Sequence, residues 1–142
     1  MAGFLLDTNV LSEFKRRGDP NPNVVAQSHR SRSPLGQCLS FGEIRKGIER
    51  LPPGKRRSEL ERWLDHDLDQ WFEQRLLPVT RAISERWGVL DARGLDRGTP
   101  IPSIDGLIAA TALECDLTVV TRNVKDFANL GLKTYNPWEP GG

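Results

Sequence analysis

Hydrophobic positions along this chain fall into short continuous runs separated by longer stretches with helical spacing. Residues 4–6 (FLL) and 117–120 (LTVV) are short, almost wholly apolar runs, which is typical of strands buried on both faces. The clearest helix is predicted over about 56–75, where Leu60, Leu64 and Leu68 form one apolar stripe. Strands that alternate with helices require crossover connections, so the pattern predicts a mostly parallel sheet.

The same pattern predicts the other elements. Further strands are expected over 35–39, 76–79 and 132–135, the last of them at an edge of the sheet. Further helices are expected over 9–16, about 23–31, 40–51, 81–93 and 103–114. We therefore predict a single domain over residues 1–142 with an α/β fold, about four to five strands flanked by helices, and a loosely ordered tail over 136–142.

Composition narrows the class of protein. Of the 142 residues, 37% are hydrophobic and 27% are charged, which is the composition of a folded domain rather than a disordered chain. The apolar runs are shorter than the roughly 20 residues that a membrane helix needs, so we expect no membrane partner. The first residues lack the basic stretch of a signal peptide, and Cys38 and Cys115 stand outside any metal or redox motif. A cytoplasmic location is the simplest expectation.

Four carboxylates follow the predicted strands. Asp7 closes the first strand, Glu43 lies just after the second, Asp105 lies near the start of the helix over 103–114, and Asp126 comes after the strand over 117–120. Because the carboxyl ends of parallel strands meet at one edge of a sheet, we expect the four side chains to share one crevice there.

Each acid also has a purely structural interpretation. Ser40 and Glu43 have the spacing of a capping box, and Asn123 and Asp126 have the same spacing. Asp105 in a first helical turn is favoured by the helix dipole. Taken together, four carboxylates in one crevice repel each other unless a cation neutralises them. Mg²⁺ or Mn²⁺ prefers such oxygen ligands and supports phosphodiester hydrolysis, so the set favours a metal-dependent hydrolase.

Three segments carry a resemblance to a known family: LLDTNVLSEF, LSFGEIRKGIERL and IPSIDGLIAATALECDLTVVTRNVKDF. Over about residues 4–138 the chain resembles the PIN-domain ribonucleases of the VapC/FitB type, which are toxins of bacterial type II toxin–antitoxin pairs. The resemblance implies a three-layer, flavodoxin-like fold and a magnesium- or manganese-dependent endoribonuclease. It implies Asp7 and Asp105 as metal ligands, with Glu43 and Asp126 completing the catalytic set. Supporting roles near the site fall to Asn9, Thr121 and Asn123.

The resemblance also implies partners. These are an RNA substrate, a second copy of the chain, and a VapB/FitA-like antitoxin whose tail lies across the active-site groove. Arg45, Lys46 and Arg122 flank the acids in sequence, so they are candidate contacts to RNA phosphates. The helix over 56–75 carries more aromatic area than its own core should need, in Trp63, Trp71 and Phe72, so we expect these residues at the interface of a homodimer.

Three other classes remain as alternatives. A receiver-like signalling module also gathers acids around Mg²⁺, but it needs an adjacent acidic pair where this chain has Asp7 followed by Thr8 and Asn9. A haloacid-dehalogenase-like phosphatase needs Asp-x-Asp at the same place. A catalytically silent RNA-binding PIN domain fits the same segments, and only the complete set of acids argues against it.

Overall fold

The computed structural model describes residues 3–15, 20–24 and 34–139. Its sheet has five strands, each parallel to its neighbours, in the order β3-β2-β1-β4-β5. The strands are β1 (Gly3–Leu6), β2 (Leu35–Gln37), β3 (Leu76–Leu77), β4 (Leu117–Val120) and β5 (Thr134–Tyr135). The chain builds outward from β1 to β3 and then crosses back to place β4 on the other side of β1. The switch point of the sheet therefore lies between β1 and β4.

Helices connect these strands. They are α1 (Thr8–Glu13), α2 (Cys38–Glu49), α3 (Lys55–Arg62), α4 (Asp69–Phe72), α5 (Arg81–Asp96) and α6 (Ser103–Cys115). A π-helical segment, Trp63–Leu68, joins α3 to α4, and a short 3-10 helix, Val124–Phe127, follows β4. None of the helices in these described ranges is long and apolar enough to cross a membrane.

The sheet separates two hydrophobic cores because successive strand residues point to opposite faces. Leu6 and Val120 belong to the core under α1, α2 and the α3–α4 region, whereas Leu5 and Val119 belong to the core under α5 and α6. This is the predicted three-layer α/β architecture, and that prediction is confirmed. Flavodoxin itself has the strand order 2-1-3-4-5. The likeness therefore lies in the layers and the parallel sheet rather than in the order of strands.

A buried glutamine links the two sides of the sheet. Gln37 ends β2 with no exposed surface, and its Nε2 donates to the Thr111 hydroxyl of α6 at 2.9 Å. Its Oε1 accepts from the backbone N–H of Leu39 at 3.2 Å, so Gln37 is the residue that caps α2. The predicted capping box of Ser40 and Glu43 is therefore wrong. Helix α2 begins at Cys38, and the buried Ser40 hydroxyl has no hydrogen-bond partner among the residues described.

Two other regions differ from the sequence predictions. Residues 136–139 pack on the domain instead of forming a loose tail: Trp138 lies against the core, and its backbone N–H donates to Asn136 Oδ1 at 2.9 Å. The end of that tail, 140–142, is outside the described residues. Of the predicted helix over about 23–31, residues 23–24 are helical and the remainder also lies outside the described ranges.

The aromatic side chains near α3 and α4 serve this chain's own core. Phe72 has no exposed surface and Trp63 is only 7% exposed. The half-buried Trp71 packs edge-on against Phe14 and Phe72, with ring centroids 5.8 and 4.8 Å apart. The expectation that these aromatics are exposed at an interface between two copies is therefore wrong for Trp63 and Phe72, whereas Trp71 keeps part of its surface exposed. Phe14, at the end of helix α1, packs against Trp71, and this long-range contact cannot be predicted from the local pattern.

We expect Gly36→Ala to destabilise the fold. A Cβ at Gly36 would lie 2.7 Å from the ring of Phe72, which is itself held between Phe41 and Trp71. Overfilling a packed core usually costs about 1–3 kcal/mol. Gly88→Ala in α5 is the control, because its added Cβ meets nothing within 4 Å. That change should raise stability by about 0.5–1 kcal/mol. Urea denaturation of both variants would contradict the packing argument if Gly36→Ala were as stable as Gly88→Ala.

Candidate active site

The candidate site lies at the carboxyl ends of β1 and β4, where the switch point places it. Leu6 of β1 pairs with Val120 of β4, so Asp7 and Thr121 are neighbours as soon as the two strands end. A cavity of about 630 Å³, which we call the acidic cavity, opens there. Its lining includes three of the four predicted acids: Asp7, Glu43 and Asp105.

Asp7 is the most constrained of these acids. Only 5% of its surface is exposed. Its Oδ1 accepts from the backbone N–H of Thr8 at 2.8 Å, and its Oδ2 accepts from the Thr121 hydroxyl at 2.8 Å. The Asn9 amide lies 3.4 Å from the same Oδ2. These donors fix the carboxylate in one orientation before any ligand binds.

The predicted supporting residues form one network behind Asp7. Asn9 Nδ2 donates to the Thr121 hydroxyl oxygen at 3.3 Å, and that oxygen also accepts from the backbone N–H of Asn123 at 3.0 Å. Asn9 Oδ1 accepts from the backbone N–H of Arg122 at 3.2 Å. The network joins the start of α1 to the loop after β4, so the two halves of the site cannot shift independently.

Glu43 reaches the site from α2, the crossover helix that follows β2. Its Oε1 accepts from the Thr8 hydroxyl at 2.5 Å. Thr8 therefore contacts two acids, through its backbone N–H to Asp7 and through its hydroxyl to Glu43. No role was predicted for Thr8 from the sequence. Its position directly between Asp7 and Asn9 was the available signal.

The four acids influence one another electrostatically. Burial, together with the negative charges of Asp7, Asp126 and Glu43, raises the pKa of Asp105 to about 6. Burial also raises the pKa of Asp7, against the opposing effect of the hydrogen bonds from Thr121 and Thr8. The charges of Glu43 and Asp126 add to the upward shift at Asp7. The site thus concentrates negative charge that a cation would neutralise.

Asp126 occupies a different position from the other three. It lies on the 3-10 helix and lines a neighbouring cavity of about 910 Å³. Within the described ranges, no three His, Cys, Asp or Glu side chains are grouped closely enough to hold a metal ion by themselves. Mg²⁺ is usually bound by one or two carboxylates and several waters rather than by a complete protein cage. The oxygen donors of Asp7 and Asp105 therefore fit a hard divalent cation, and they are the residues that could hold it.

The three predicted basic contacts are placed differently from one another. Arg122 lines the cavity with the acids, and its guanidinium lies over the Trp138 ring at 5.2 Å from the centroid. Arg45 forms an ion pair with Asp65 and lines a separate depression. Lys46 is exposed on α2. The structure thus brings one of the three, Arg122, to the cavity that holds the acids.

The other side of the cavity is apolar and was not foreseen. Its lining includes side chains from α2, the α3 region and the tail, namely Ile44, Ile48, Leu51, Leu60, Trp63 and Trp138. Glu13 adds a further buried carboxylate to the lining. The signal for Glu13 was its spacing, because it follows Asn9 by one helical turn on α1. Trp138 gave no local signal, since it lies in a segment rich in Pro and Gly.

Comparison with known proteins places this arrangement in a family. The model of the PIN domain matches residues 4–132, and the chain belongs to the PIN-domain family. Within that family the likeness is to the VapC/FitB type, as the sequence resemblance indicated.

Two curated relatives and one solved structure support this placement. The VapC ribonuclease Y4jK of Sinorhizobium fredii is 33% identical over 138 residues, covering 96% of this chain and 98% of that protein. Toxin FitB of Neisseria gonorrhoeae is 33% identical over 136 residues, covering 94% of this chain and 97% of that protein. The crystal structure of FitAcB from Neisseria gonorrhoeae superposes with a TM-score of 0.86 at 32% identity, covering 96% of this chain and 99% of that one.

Proposed function

We propose that this protein is a divalent-metal-dependent endoribonuclease that hydrolyses RNA phosphodiester bonds as the toxin of a toxin–antitoxin pair. The observation that carries the proposal is the grouping of Asp7, Glu43 and Asp105 around one cavity at the switch point, where Thr8 hydrogen-bonds to both Asp7 and Glu43. Membership of the PIN-domain family and the names of the relatives, a ribonuclease and a toxin, support it.

Asp7 and Asp105 are the proposed ligands of Mg²⁺ or Mn²⁺. When bound, such a cation polarises a phosphate oxygen and makes a nearby water more acidic. Thr8, Asn9 and Thr121 keep Asp7 in the binding orientation. Glu43 and Asp126 are proposed to orient the attacking water and to accept its proton as the new P–O bond forms. The P–O bond to the leaving ribose oxygen breaks in the same step, and that oxygen takes up a proton from solvent. Arg122 can hold a phosphate next to the scissile bond.

The partners are proposed on the same basis. The apolar side of the acidic cavity suits an amphipathic segment of an antitoxin, with an Arg of that segment bonding the acids bidentately. A homodimer remains a proposal from the family resemblance. The exposed large apolar side chains among the described residues are Val79, Val89 and Leu95, and the last two lie on α5. The proposed location is the cytoplasm, where the RNA substrates are.

A cleavage assay with total bacterial RNA tests the activity. We expect the RNA to be cut at internal positions in Mg²⁺ or Mn²⁺. We expect no cleavage in EDTA, and renewed cleavage when Mg²⁺ is restored. Single-stranded DNA is the control substrate. A silent RNA-binding PIN domain would bind the RNA in a gel-shift assay without cutting it. Cleavage that survives EDTA would contradict the dependence on a metal.

A further inference from the structure

A second cavity lies on the other side of Asp126 from the acidic cavity. Its volume is about 910 Å³. One wall is a face of α5 with the residue that caps its end, where Leu90, Arg93, Gly94 and Arg97 recur at helical spacing. The loop 99–102 before α6 forms the second wall, and the segment from Lys125 to Gly131 forms the third. We call it the cationic cavity, for Arg93, Arg97 and Lys125.

These three cations have no carboxylate partner in the parts of the chain that the structure describes. Other arginines differ in this respect. Arg81 pairs with Glu85 at 2.6 Å, and Arg86 pairs with Glu114 at 2.8 Å, although both share α5 with Arg93. Several unpaired cations around one concave surface attract anions strongly, because the low-dielectric walls focus their field.

The position of the cationic cavity connects it to the site. Asp126 lines it directly, and the charge of Asp126 also raises the pKa values of Asp7 and Asp105 in the acidic cavity. The loop 99–102 that walls it leads straight into α6, whose first turn carries Asp105. A chain of phosphates that passes the acids would therefore meet these cations next.

The walls of the cationic cavity are already formed. A Cβ at Gly94 would lie only 2.8 Å from the backbone oxygen of Thr99, so α5 and the loop are in close contact. Leu90 and Ile101 add apolar surface beside the cations. A sugar or base can rest on such a surface while its phosphate is bound at the rim.

We propose that the cationic cavity binds backbone phosphates of the RNA strand on one side of the scissile bond. The proposal rests on the proposed ribonuclease function for the identity of the strand, although binding here does not require cleavage. The proposed substrate contacts here are Arg93, Arg97 and Lys125 rather than Arg45, which forms an ion pair with Asp65.

The test is the salt dependence of RNA affinity. The parent is Asp105→Asn in EDTA, the probe is a labelled single-stranded RNA of mixed sequence, and the method is fluorescence anisotropy. Each lost phosphate contact reduces the slope of log K against log salt by about 0.7 for a single strand. Arg97→Gln with Lys125→Gln should therefore flatten the slope by about 1.4. The control, Arg81→Gln with Arg86→Gln, removes the same charge from paired positions and should leave the slope unchanged.

The outcomes separate this proposal from the proposed function. A flattened slope confined to the Arg97 and Lys125 variant supports the cavity, even if the wild-type protein cuts no RNA. An unchanged slope, or equal flattening in the control, overturns the cavity while normal cleavage leaves the function standing. Light scattering shows whether the Arg97 and Lys125 variant still self-associates. If it loses self-association while the slope is unchanged, the cavity is a contact between copies, and the proposal of phosphate binding is overturned. Where cleavage is measurable, the variant should raise KM and leave kcat unchanged.

Discussion

Asp105→Asn is expected to lower RNA cleavage by at least about a hundredfold, the usual minimum for removing a positioned catalytic group. The amide has the size of the carboxylate but lacks its negative charge, so it binds a divalent cation more weakly than the carboxylate does. The fold should be retained, because Asp105 makes no ion pair in the described parts of the chain and the site loses a repulsive charge. Cleavage rate at saturating Mg²⁺ is the measurement.

The matched control is Asp96→Asn, the same change at an exposed position at the end of α5. It should cut RNA at the wild-type rate. Thermal denaturation of both variants shows whether any loss reflects misfolding. A cleavage rate for Asp105→Asn within a few-fold of the control would remove Asp105 from the mechanism.

Without metal, the protein should become less stable as pH rises from about 4 to about 6. The surroundings of Asp105 in the folded state raise its pKa from the ordinary value of 3.8 to about 6. In that range the folded state binds more protons than the unfolded state, so the free energy of unfolding falls with rising pH. The raised pKa of Asp7 acts in the same direction. The part of the loss that Asp105 causes should be complete above about pH 6.

Mg²⁺ should reverse this loss, because the cation competes with protons for the same carboxylates. Its effect should be small near pH 4 and should grow as pH rises through about 6, and it should reach about 2.7 kcal/mol at a hundred times the dissociation constant. Melting temperatures in EDTA and in Mg²⁺ across this range measure both trends. Asp105→Asn should weaken the pH trend and the metal effect together. A melting temperature in EDTA that rises with pH through this window would contradict the repulsion argument.

Much of the fold is predictable because its signals are local. Residues 4–6 and 117–120 are buried on both faces, so they have the continuous apolar runs of central parallel strands. Asp7 follows the first run directly. The convergence of parallel strands at one edge predicts one crevice for all four acids. Asp7, Glu43 and Asp105 do line one cavity, whereas Asp126 lines the neighbouring one.

The wrong predictions concern positions where one local sequence pattern is compatible with more than one structure. Ser40 and Glu43 have capping-box spacing, but Gln37 reaches the helix start from the strand itself. Capping depends on where the strand ends, and the sequence predicts that boundary least well. Arg45 looked available for RNA because its partner, Asp65, lies 20 residues away and in another helical segment.

The segment after β5 has a practical consequence for handling the protein. Trp138 lines the acidic cavity, and Asn136 Nδ2 donates to the Arg122 carbonyl in the loop that carries the site. Gly3, in contrast, begins a central strand at the amino edge of the sheet, opposite the acids. An affinity tag or reporter fused beyond Glu139 would emerge at the mouth of the cavity and compete with its ligands. The same fusion placed before Gly3 would emerge on the far side of the molecule and leave that mouth open.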